Sequence, residues 1–283
     1  MEFLLLLLFV PFLFGDLFSS GSDDAPTPQG TEGDDTLRGD SDDEILDGRG
    51  GDDLIAAGEG NDTVVGGEGF NHLMGEEGDD RIFGGELEDW ISGGSGNDTI
   101  WMGGGEDNYG DYDASWLPGE DRDFSMAGDD FVNGGSMPDG IVDTEGSNTL
   151  EGSTGEDGIV ATDEQATDAP DQLFGGWGGD GMLGDDGDTM TGGESDDRFG
   201  IYLDEVDDRA VMIADFNADR EMIHLAVSET DLGSFTADDL SFETDAVTGD
   251  VSLFLVGQQV AVLTAPVGVF SLDNVFLRQG AAA

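Results

Sequence analysis

GTEGDDTLR GDSDDEILD GRGGDDLIA AGEGNDTVV GGEGFNHLM GEEGDDRIF GGELEDWIS GGSGNDTIW MGGGEDNYG, residues 30–110, keeps a nine-residue register without a gap. Glycine dominates positions 1, 2 and 4, a carboxylate or amide holds position 6, and position 8 is always apolar or aromatic. Glycines at those positions permit positive φ and close approach of neighbouring backbone, so positions 1 to 6 read as a turn. Positions 7 to 9 read as a short strand whose position-8 side chain faces inward: Leu37, Leu46, Ile55, Val64, Leu73, Ile82, Ile91, Ile100 and Tyr109. Two such units make one coil of a flattened roll with three-residue strands facing each other. None of the chain's prolines falls inside the block, as pairing along both strand edges requires.

The turn points backbone carbonyls inward beside the position-6 carboxylate. Hard oxygen donors in that number, with neither His nor Cys among them, suit calcium, which takes six to eight oxygens in flexible geometry. The position-6 candidates are Asp35, Glu44, Asp53, Asp62, Asn71, Asp80, Asp89, Asp98 and Asp107. The position-4 glycines Gly33, Gly51, Gly60, Gly69, Gly78, Gly96 and Gly105 are candidate carbonyl donors in the same turns. One buried aliphatic side chain per nine residues does not offset the entropy of ordering them, and stacked carboxylates repel until a cation separates them. The repeats are therefore expected to be largely unfolded without calcium and to fold cooperatively with it.

The nonapeptide G-G-x-G-x-D-x-U-x resembles that of the RTX family, also called hemolysin-type calcium-binding repeat proteins. The resemblance implies an all-β fold, a right-handed parallel β-roll, with each ion between the turn of one repeat and that of the repeat two further on. Mapped so, Asp35, Asp53, Asn71, Asp89 and Asp107 fall on one side, and Glu44, Asp62, Asp80 and Asp98 on the other. Asn71 lacks a charge, Glu44 is longer and follows Asp42 at position 4, and the repeat of Asp89 has Leu87 there. Sites using these three are expected to be the weakest.

Outward from this block the register breaks at residues 111–124, an expected excursion. It resumes out of phase at Ser125, and residues 125–200 hold degenerate repeats with an insertion near 161–169. Their ligand candidates are Asp130, Asp139, Asp157, Asp171, Asp180, Asp188 and Asp197, with Asn148 at the same position of one unit. From residue 201 to 283 glycine thins out, and alternating runs such as VSLFLV and QQVAVLTA around Gly257-Gln258 read as a mostly antiparallel C-terminal β region. Ile213-Ala-Asp-Phe216 and Met222-Ile-His-Leu225, with Glu221 before them, are similar to the stretch that follows RTX repeats. The apolar and acidic end, VFSLDNVFL, resembles the tail read by type I secretion machinery, or it is a β-cap on the roll. Before the block, residues 19–29 read as an acidic linker with Pro26 and Pro28. Residues 1–18 form a hydrophobic segment whose apolar run, Phe3 to Phe14, is short for a bilayer span of ~20 residues. Two readings stay open for it: a signal or membrane anchor, and an interfacial or partner-docking segment.

The chain has 66 acidic residues against 8 basic ones, all Arg, for a net charge of −58. Nucleic acid is excluded as a partner, because counterion displacement from phosphates needs a basic surface. With no cysteine there is no disulfide, thiolate metal site or cysteine nucleophile. The zinc-protease motif H-E-x-x-H and the nucleophile elbow G-x-S-x-G are both missing. His72, at an exposed position 7, and His224 are the only histidines. The expectation is a non-enzymatic, exported bacterial protein whose cofactor and partner is calcium in several copies. A surface-tethered adhesive or matrix protein, with membrane contact through residues 1–18, is the rival expectation.

Overall fold

The computed structural model describes residues 28–110, 128–143, 145–162, 170–185, 187–203, 209–227 and 236–279. The hydrophobic segment 1–18, the 111–124 excursion and most of the 161–169 insertion lie outside the described residues. The repeats of residues 30–110 form β1 (Thr36–Arg38), β2 (Ile45–Gly50), β3 (Leu54–Glu59), β4 (Thr63–Glu68), β5 (His72–Glu77), β6 (Arg81–Gly85), β7 (Trp90–Ser95), β8 (Thr99–Gly104) and β9 (Asn108–Tyr109). Then come β10 (Phe131–Ser136), β11 (Gly140–Asp143), β12 (Thr149–Thr154), β13 (Gly158–Ala161), β14 (Gln172–Trp177), β15 (Gly181–Gly184), β16 (Thr189–Glu194) and β17 (Arg198–Leu203). The C-terminal part supplies β18 (Val211–Ile213), β19 (Met222–Val227), β20 (Leu240–Thr244), β21 (Val251–Leu255), β22 (Gln258–Leu263) and β23 (Val275–Gln279). No α-helix occurs among the described residues.

Odd strands and even strands separate into two sheets, because each turn carries the chain from one to the other. One sheet of 11 strands runs through the odd numbers from β1 to β19 and ends at β23. The other, of 12 strands, runs through the even numbers from β2 to β18 and ends β22-β21-β20. All pairings from β1 to β19 are parallel and in register, so Leu37 lies beside Ile55 and Ile55 beside Leu73. This is the parallel β-roll, with position 8 from both sheets filling the core between them: all nine position-8 residues of the first block are buried. The C-terminal part extends both parallel sheets through β18, β19 and β23, and turns antiparallel in the β20–β21–β22 meander.

Strands are longer than the three residues expected. Thr63–Glu68 and Thr99–Gly104, for example, span 6 residues each and run on through positions 1 to 3 of the next unit. Pairing skips position 1 and then resumes, as in Asp47–Val65 followed by Arg49–Gly67, which bends the strand without ending it. His72 is half-buried against the Trp90 ring, at 5.4 Å between centroids, rather than exposed.

The register also measures the interruptions. Successive position-6 residues along one sheet are 18 apart in the first block, 32 apart across the excursion, 23 apart across the insertion and 17 apart in the last units. The excess of 14 across the first break equals the length of the 111–124 excursion. The roll therefore passes both interruptions without losing its stacking.

Candidate metal centre

Each turn places its position-6 side chain on the inner wall of one narrow edge. Two ridges result. Ridge one holds Asp35, Asp53, Asn71, Asp89, Asp107, Asp139, Asp157, Asp180 and Asp197, and ridge two holds Glu44, Asp62, Asp80, Asp98, Asp130, Asn148, Asp171 and Asp188. In every step the backbone N–H of one member donates to Oδ1 of the next, at 2.5 to 3.2 Å. The degenerate repeats therefore join the same two rows as the well-formed ones.

What separates the members is the second oxygen. In Asp53, Asp62, Asp80, Asp89, Asp98, Asp107, Asp139, Asp157, Asp180 and Asp197 the buried Oδ2 meets no hydrogen-bond donor among the described residues. Such an atom normally costs about 1–3 kcal/mol, so ten of them in one fold call for a common partner. The space beside them is lined by oxygen. A Cβ placed on Gly134 would lie 2.6 Å from Asp139 Oδ2 and 2.8 Å from the Gly152 carbonyl oxygen of the next coil. Carboxylate and carbonyl oxygens together, with no nitrogen or sulfur, match the donor set of calcium. No group of three or more His, Cys, Asp or Glu side chains converges among the described residues, as expected where backbone carbonyls supply most of the donors.

Six of the sequence candidates are built differently. Asp35 Oδ2 accepts from the Thr31 N–H (2.6 Å) and hydroxyl (2.8 Å), and Glu44 accepts from the Asp40 N–H. Both stand in the first coil of the described residues, and they close on their own turns. The Asn71 amide donates to the Gly69 carbonyl and to Asp89 Oδ1. Asp130 Oδ2 accepts from the Tyr109 hydroxyl at 3.0 Å, and Asp188 Oδ2 from the Asp185 N–H at 2.9 Å. Asp171 is also engaged.

Sequence reasoning missed three participants. Tyr109 was visible only as the one polar-tipped residue among the position-8 aliphatics. Asp215, within the A-D-F run, accepts from the Gly192 and Gly193 N–H groups at 2.9 and 2.7 Å and so caps the last turn of the repeats. Asp143 is a buried carboxylate in a place where most units have glycine.

Burial raises the carboxylates along both ridges. Asp98 is pushed up to about 8, by burial first and then by the charge of Asp130. Asp139 also reaches about 8, and Asp80 and Asp89 about 7, each chiefly through burial. Asp35, hydrogen-bonded by the Thr31 N–H and hydroxyl, is instead lowered. The consequence for pH has a definite sign. A folded carboxylate raised from 3.8 to about 7 or 8 holds a proton that the unfolded chain releases. Its contribution is complete below 3.8 and is lost as pH rises through about 8. In excess chelator the β signal by circular dichroism should therefore be stronger at roughly pH 5 than at roughly pH 8. Calcium affinity should move the opposite way, rising with pH. A chelated chain equally unfolded at both pH values would contradict this account.

Residues 29–55, 56–86 and 88–109 match the family model described as RTX calcium-binding nonapeptide repeat (4 copies). A comparison with curated proteins returns no match.

Proposed function

We propose, because this chain is an RTX-type repeat protein that binds several calcium ions, that it is an exported bacterial protein whose roll folds on extracellular calcium. Its repeat domain is a calcium-binding, non-enzymatic unit. The observation that carries the reading is the double row of ten buried, unpartnered aspartate oxygens. Asp53, Asp62, Asp80, Asp89, Asp98, Asp107, Asp139, Asp157, Asp180 and Asp197 would each offer Oδ2 to an ion, and carbonyls of the glycine turns would complete its shell. In the low calcium of a cytoplasm these charges keep the chain open and able to pass through a secretion channel. Outside, in millimolar calcium, each ion bound to an emerging turn disfavours sliding back. Export by type I machinery reading the C-terminal part, and the absence of any catalytic role for the whole chain, belong to the same proposal.

The apolar run Phe3 to Phe14 supports a second reading, in which the folded roll stays at the cell surface as an adhesive or matrix element. Calorimetric calcium titration combined with fractionation of producing cells tests both. The first reading expects saturable micromolar-to-millimolar binding and a soluble product in spent medium. A product found only in the membrane pellet replaces it with the second. A purified chain that takes up no calcium removes both.

A further inference from the structure

The two ridges do not offer metal equally. Ridge one presents unpartnered aspartate oxygens from Asp53 as far as Asp197, whereas on ridge two they stop at Asp98. The next member of ridge two, Asp130, lies 32 residues on, across the excursion, and its Oδ1 accepts the Asp98 N–H like any other rung. Its Oδ2 is the atom that differs, because it accepts from the Tyr109 hydroxyl at 3.0 Å.

Tyr109 belongs to ridge one's sheet and points into the core from position 8, where neighbouring units carry Ile91 and Ile141. Only its length lets it cross the core to the opposite edge. The hydroxyl is wholly buried and ends between two carboxylates, Asp130 and, at 3.5 Å, Asp143 Oδ2. Asp143 in turn accepts the Glu145 N–H through Oδ1. A single hydroxyl proton thus satisfies the oxygen that Asp62, Asp80 and Asp98 leave open.

We infer that Tyr109 ends the calcium row of ridge two: its hydroxyl takes the place of an ion at Asp130 and makes that rung metal-independent. This rests on the calcium reading of the other rungs. Where the excursion interrupts the chain, the two flanking coils are joined by a bond that needs no cation. Past that point ridge one alone recruits ions, so the second half of the roll is loaded along one edge only.

The test is calcium stoichiometry by calorimetry on the full chain, for wild type, Tyr109→Phe, Asp130→Asn and Asp98→Asn, with folding checked by circular dichroism. Tyr109→Phe frees Asp130 Oδ2 without changing the ring's volume, and the expected result is one additional ion per chain. Asp130→Asn in the wild-type background should leave the count unchanged, whereas Asp98→Asn should lose one ion. A count that is unchanged in folded Tyr109→Phe, or that falls by one in Asp130→Asn, overturns the inference. Should Tyr109→Phe fail to fold, the Asp130→Asn count decides alone. A wild type that binds no calcium instead overturns the calcium reading beneath it, so the two failures are distinct.

Discussion

Removal of calcium at neutral pH is expected to unfold the roll, with loss of the far-ultraviolet β signal in excess chelator and its return in millimolar calcium. Ten buried carboxylate oxygens have no donor among the described residues. At only about 1 kcal/mol each they match the entire net stability of an ordinary domain, roughly 5–15 kcal/mol. Charge adds to this, because near neutral pH burial makes ionisation of Asp98 and Asp139 costly while refolding brings their neighbours close. A bound cation removes both penalties together, and each coil touches only its neighbours, so the loss should be cooperative along the stack. An unchanged spectrum in chelator would mean that the oxygens are satisfied some other way.

The second large effect is expected from a single methyl group. Gly78 has φ 131 and stacks on the preceding coil, where an added Cβ would meet the carbonyl oxygen of Gly60 and lie 2.6 Å from its carbon. Gly78→Ala therefore combines left-handed strain, about 1–3 kcal/mol, with forced separation of two coils, about 1–3 kcal/mol more. Gly33 occupies the same turn position in the first unit, yet a Cβ there would meet nothing within 4 Å. Gly33→Ala should be close to neutral. Urea denaturation of both variants in saturating calcium distinguishes them, and equal midpoints would show that coil-to-coil spacing is not what the glycine protects.

This contrast also shows what could be read from the chain beforehand. The spacing of glycine, aspartate and aliphatic residues was enough to make two repeats one coil and to place position 8 in the core, while the family resemblance implied the pairing of turns two repeats apart that puts Asp53 and Asp62 on opposite edges. Each of those depends on one repeat and its period. The hydrogen bonds that make Asp35, Glu44 and Asp130 unlike their neighbours depend instead on what stands next to a turn in space. Asp35 and Glu44 have the right residue types, but each is held within its own turn, by Thr31 and by the Asp40 N–H. Asp130 lies opposite a tyrosine twenty-one residues away in sequence, which no nine-residue pattern reports. Strand length was underestimated for a similar reason. Positions 1 to 3 look like turn because they are glycine-rich, but the coil above and below keeps them paired.

The meander at the C-terminus bears on how long such a stack can become. Parallel strands in register, with like side chains above one another, form a template that accepts further strands at an open end and, repeated between molecules, builds fibres. In the even-numbered sheet that template is interrupted, because β21 runs opposite to β22 and the final strand β20 is exposed from Ser241 to Thr244. The edge strand β20, antiparallel to β21, runs parallel to the rest of that sheet again, but it is reached by a meander and not by a glycine turn from the other sheet, which ends at β23. A roll grows by turns that carry the chain from one sheet to the other, so a meander that folds back within one sheet closes the coil pattern there instead of continuing it.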